Sequence, residues 1–115
     1  MNTKAKGTRR ERQTIKLLEE NTYHCTRSAG SLGAFDIIAM SAKRDIILNV
    51  QVKSNGWPPK KEMDILTAFE LPSNIYILVV RWDDSKGGRG NEVVPQMKLR
   101  LHNGEWLDLE QGQVP

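Results

Sequence analysis

A single cysteine, Cys25, and two histidines, His24 and His102, are all this chain offers of the side chains that commonly build disulfides and zinc sites. One thiol excludes an internal disulfide and fits a reducing cytoplasm, and Cys25 is expected to be a small buried apolar side chain in a strand, not a nucleophile. Neither histidine has a second histidine or a cysteine at ligand spacing, so no structural zinc site is expected. Aromatic residues make up only 6% of the chain, and none cluster on a strand as single-stranded RNA readers require. No recognition-helix pattern points to sequence reading in the DNA major groove. No apolar run approaches the roughly 20 residues of a membrane-spanning helix. The basic N-terminal stretch is followed by no apolar segment, so a secretory leader is not expected and the cytoplasm is.

What is present fits one small globular domain. The 115 residues suffice for a single core, so residues 1–115 are expected to form one domain. Hydrophobic residues at 38% and charged residues at 27% exclude a disordered chain. The net charge of +3 is modest but uneven. Lys4, Lys6, Arg9, Arg10, Arg12 and Lys16 crowd the N-terminus against one acid, Glu11, whereas Asn103 onward carries Glu105, Asp108 and Glu110 and no Lys or Arg. A basic patch at one end is the footprint of a phosphate-backbone binder, and equally that of a solvated helix face.

The periodicity gives an α/β order. A helix is expected from about Thr8 to Glu20, with Ile15 and Leu18 inward and Thr8 to Glu11 forming a capping box. A strand follows over Tyr23–Ser28, then a Gly-rich connection over Ala29–Ala34. Asp36–Met40 and Asp45–Lys53 read as two strands of a hairpin. In the second of these, Ile46, Leu48, Val50 and Val52 share one face. Ile47, Asn49, Gln51 and Lys53 share the other, so Gln51 and Lys53 point the same way about 7 Å apart. Asn55–Pro59 is a loop in which Trp57 is expected to pack. Lys60–Leu71 is a helix ended by Pro72, and the apolar run Ile75–Val80 suits a strand covered on both faces. Ser85–Asn91 is glycine-rich, and Asn103-Gly104 marks a terminal hairpin. Candidate association surfaces are the apolar face from Met63 to Phe69 and that hairpin.

Asp36 at the start of one strand and Gln51-Val52-Lys53 at the end of its partner bring a carboxylate, an amide oxygen and an ammonium together, where a divalent cation and a phosphodiester could meet. Each residue also has a plainer reading: Glu11 as a helix cap, Asp36 as a turn residue, Lys53 as a strand-edge charge. Gln51 fits a plain reading least, because a covered strand disfavours an unpaired amide.

Taken together, Lys6-Gly7 with Glu11-Arg12, then Arg27-Ser28-Ala29-Gly30-Ser31, Asp36, and Gln51-Val52-Lys53 resemble the archaeal-type Holliday junction resolvases of the PD-(D/E)XK nuclease superfamily. The resemblance runs from Lys6 to Lys53, with two departures: Gln51 stands where the family has Glu, and no proline precedes Asp36. It implies a small restriction-endonuclease-like α/β core with a central mixed sheet flanked by helices. It further implies magnesium, with manganese as a substitute, on Asp36, the Gln51 side-chain oxygen and the Val52 carbonyl, with Glu11 acting through a water. Lys53 would hold the attacking water or offset charge on the phosphate. Lys4, Lys6, Arg9, Arg10, Arg12, Arg27 and Ser31 would contact DNA. The implied partner is branched double-stranded DNA, above all four-way junctions, cut by a homodimer because paired cuts need two sites. The alternatives are a related nuclease acting on repair, fork or restriction-like substrates, and a catalytically silent DNA-binding module.

Overall fold

The computed structural model describes residues 3–27, 35–84, 94–110 and 113–115, with the side chains of residues 3–6 outside that set. The expected Gly-rich connection, Ser31, the segment after Asp84 up to Val93, and the side chains of Lys4 and Lys6 therefore lie outside the described residues.

Six strands form one sheet in sequential order: β1 (His24–Arg27), β2 (Ile37–Ser41), β3 (Ile46–Ser54), β4 (Ile75–Trp82), β5 (Gln96–Arg100) and β6 (Trp106–Leu109). All neighbours are antiparallel except β3 and β4, so the sheet is mixed. A parallel pair cannot be closed by a tight turn and needs a crossover. Helix α2 (Lys60–Ala68) supplies it. Helix α1 (Thr3–Glu20) covers one sheet face, where Leu18 and Tyr23 pack with Leu48, Val50, Leu78, Val80 and Leu99. Helix α2 covers the other through Leu66 against Ile77 and Val79, with Phe35, Trp57 and Trp106 around them. Alternate residues of β4 thus enter opposite cores, which is why its sequence is a nearly unbroken apolar run.

Two expected boundaries are corrected. Helix α1 starts at Thr3, so Thr8 is an interior residue and no capping box exists. Lys4, Ala5 and Lys6 are good helix formers, and one Gly7 among them costs only about 1 kcal/mol, too little to stop the helix. Helix α2 ends at Ala68, three residues before Leu71, because Phe69 turns to extended backbone and its ring meets Phe35 at 5.5 Å between centroids. Met63 and Leu66 serve the molecule's own core, which leaves only Ile65 and Phe69 exposed on the expected apolar face of α2. Among the described residues no helix is long and apolar enough to cross a membrane.

Cys25 is half-buried on β1 against the α1-side core. Burial first, and the charge of Glu19 second, push its thiol up to about 11. At pH 8 only about one thiol in a thousand is then ionised, and thiolate is the reactive form. Iodoacetamide should label Cys25 slowly at pH 8 and about tenfold faster per pH unit up to that value; labelling at the rate of a free cysteine would contradict this burial.

Candidate active site

Strand pairing decides where the polar residues meet. Ile37 pairs with Val50, and the Asp36 amide donates to the Val50 carbonyl at 2.8 Å, so Asp36 stands beside the last turn of pleat in β3. Its Oδ2 accepts the Val52 amide at 2.8 Å. The carboxylate is thereby locked across Gln51 and Val52, at the C-terminal end of a strand whose next residue is Lys53. The period-two reading of β3 holds: Leu48 and Val50 are buried beneath α1, while Gln51 and Lys53 emerge on the α2 side beside Val79 and Arg81 of β4.

Gln51 carries an unusual burden. Its Oε1 is shielded from solvent and has no hydrogen-bond partner among the described residues. A buried acceptor without a donor costs about 1–3 kcal/mol, and a hard cation, or water held by one, would relieve that cost. The local donor set, with the Asp36 carboxylate, the Gln51 amide oxygen and the Val52 carbonyl, is all oxygen. It suits magnesium or manganese and not zinc. The residues therefore fit the cation that the family pattern implies.

Electrostatics agree. Burial holds the Asp36 carboxyl above its usual range; the Val52 amide pulls it back, Glu11 pushes it up, and Lys53 and Arg27 pull it back. Four groups from α1, β1 and β3 thus act on one half-buried carboxylate. Glu11 is held close by on α1, but its Oε1 accepts Arg27 Nε at 2.6 Å, and Arg27 Nη2 also donates to Thr8 Oγ1 at 3.2 Å. Lys53 Nζ lies 3.2 Å from Glu62 Oε2 on α2.

Of the basic residues read as DNA contacts, Arg9 and Arg12 are exposed and line an open groove on α1 with Thr8, Gln13 and Lys16. Arg27 is also exposed, though paired with Glu11. Arg10 is a correction. It is only 4% exposed, and its Nη2 donates to Asp84 Oδ1 at 2.6 Å while its guanidinium lies 5.8 Å from the Trp82 ring centroid. Helical phase explains this: Arg10, Thr14 and Leu18 form one inward stripe with i, i+4 spacing, and Thr14 in turn accepts the Trp82 indole N–H at 2.8 Å. Asp84 also pairs both ways with Asn55, just after β3. This clamp ties α1, which carries Glu11, to the strand end that carries Lys53. Asp84→Ala should cost about 2 kcal/mol in urea unfolding by leaving a buried guanidinium short of its anion; an unchanged midpoint would show that solvent replaces the carboxylate.

Trp57 packs, as its loop position suggests: it joins the α2-side core, with Arg81 and Lys98 at 5.5 and 5.0 Å from its ring centroid. Glu62 was not anticipated. The expected helix puts it in a first turn, but its meeting with Lys53 depends on the crossover that brings that helix over β3.

A family model described as archaeal Holliday junction resolvase (Hjc) matches residues 2–64, the span that holds Glu11, Arg27, Asp36, Gln51 and Lys53. Among solved structures, that of Hjc from Archaeoglobus fulgidus, a Holliday junction resolvase from an archaeal hyperthermophile, superposes with a TM-score of 0.57. The match has 22% identity and covers 80% of this chain and 70% of that one, a likeness of fold. No curated protein matches the chain. With more than half the chain inside the family model and the fold shared, this protein belongs to the archaeal Holliday junction resolvase family.

Proposed function

We propose that the chain is a magnesium-dependent endonuclease that resolves four-way DNA junctions by paired hydrolysis of phosphodiesters, working as a two-fold homodimer. The observation that carries the reading is the strand-end pairing that fastens Asp36 across Gln51 and Val52 and leaves the Gln51 oxygen buried without a donor. When bound, magnesium supplies Lewis-acid polarisation of the phosphate and a more acidic water. The Asp36 carboxylate, the Gln51 oxygen and the Val52 carbonyl would hold it, with Glu11 reaching it through water and its charge offset by Arg27. Lys53 orients the attacking water or offsets charge that develops on the phosphate oxygens. Arg9, Arg12 and Lys16 on the outward face of α1, with Arg27 beside the site, take the DNA backbone. One site per chain makes one cut, so symmetric resolution calls on two copies.

The test is a cleavage assay on labelled four-way junction, linear duplex and flap substrates, with magnesium, with manganese and with neither. Paired nicks confined to the junction are expected. Binding should weaken steeply with salt, the log–log slope being about −0.9 per phosphate contact. Cutting of all three substrates would make the protein a broader nuclease of the same fold. Tight binding with no nicks under either metal would make it a silent binding module.

A further inference from the structure

Replacing the family's glutamate by Gln51 removes one full negative charge from the cation's surroundings. Glu11 does not make it good, because its carboxylate already faces the Arg27 guanidinium at 2.6 Å. Asp36 is then the only site carboxylate without a basic side chain in direct contact among the groups read from the sequence. A third carboxylate nevertheless contacts Lys53 from α2. Glu62 projects from the first turn of α2 toward β3, with Oε2 at 3.2 Å from Lys53 Nζ. That approach makes no hydrogen bond, and Oε2 is shielded from solvent without any other partner, like Gln51 Oε1 two residues before Lys53. Two shielded oxygens that lack a hydrogen bond thus belong to neighbours of Lys53: Gln51 on the same strand face, and Glu62 in ion-pair contact.

We propose that Glu62 supplies the divalent cation with the carboxylate that Gln51 lacks. The inference rests on the active-site reading above. Glu62 rests against Lys53. That pair is partly exposed, with side-chain exposures of 32% and 45%, and such pairs contribute little, so exchanging partners is cheap. With a cation bound, the Glu62 carboxylate would turn to it, directly or through water, and Lys53 would be free to face the phosphate. The same exchange would couple filling of the cation site to release of the lysine.

The test is manganese binding to the full-length protein without DNA, read by electron paramagnetic resonance of the free ion, which reports no turnover. The parent should bind one Mn2+ and Asp36→Asn should lose it. Glu62→Gln should weaken binding at least tenfold, and adding Gln51→Glu to that variant should restore it to near the parent value. Lys53→Met should tighten binding, because it frees Glu62. Parent-like affinity in Glu62→Gln while Asp36→Asn fails to bind would overturn the role of Glu62 and leave the active site standing. Parent-like affinity in Asp36→Asn would overturn both. Circular-dichroism melts of each variant confirm that the measured chains are folded.

Discussion

Asp36→Asn abolishes junction cutting, by about 10³-fold or more, and at the same time raises the melting temperature of the metal-free protein at neutral pH. The first effect follows from the donor set: an amide keeps an oxygen but removes the one carboxylate fastened across the end of β3. Its shape and its acceptor for the Val52 amide are retained, so the fold and the α1 phosphate contacts survive and junction affinity stays within about twofold. The second effect follows from linkage. Burial raises the Asp36 carboxyl above its ordinary 3.8 in the folded state. Between the two values the folded protein binds more protons than the unfolded chain. Stability from this group is therefore full below the unfolded value and is lost as pH rises through the folded one. The amide suffers no such loss, so its advantage appears at neutral pH and vanishes in acid. Equal melting temperatures at pH 7 would mean that the carboxylate is already compensated and that the site does not call for a cation.

Lys53→Ala should slow single-turnover cleavage by about 10²–10³-fold, the usual loss when one transition-state donor is removed from a preorganised site. Binding to the junction measured by gel shift should change little, since Arg9, Arg12 and Lys16 stand on a separate helix face. The contrast between the two readouts is the informative part. A lysine that merely touched the backbone would lose affinity and spare the rate. Lys53 sits on the face of β3 that also presents Gln51, and its ammonium is held by a partly exposed partner, so it is poised and not buried. Its removal also leaves Glu62 unpaired on a half-exposed surface, where the cost to stability is small.

Much of this arrangement is legible in the sequence. The alternation in Ile46–Lys53 placed Gln51 and Lys53 on one face because a strand has a strict period of two, and the short link between Met40 and Ile46 brought Asp36 alongside them. The continuous apolar run of β4 announced its two covered faces for the same reason. The Asn103-Gly104 turn fell where expected, with Gly104 at φ +90°, a conformation that favours glycine. Helix ends were less legible. Thr8 and Glu11 have the pattern of a capping box, yet the helix runs back through Gly7 to Thr3, and α2 stops early because Phe69 meets Phe35. Charge was the poorest guide to role. Arg10 belongs by composition to the basic cluster, but its helical phase with Thr14 and Leu18 turns it inward to Asp84, a partner far along the chain. Glu62 likewise has no local signature, because its meeting with Lys53 depends on a crossover whose path is set by the packing of Leu66 against Ile77 and Val79. Local periodicity reveals faces; only tertiary packing reveals which charges are neutralised.

The most direct measurement is the anomalous difference map of crystals of this protein soaked in manganese. One peak within bonding distance of the Asp36 carboxylate, Gln51 Oε1 and the Val52 carbonyl is the expected result. A peak elsewhere on the molecule, or none at a manganese concentration that supports cleavage, would contradict the account.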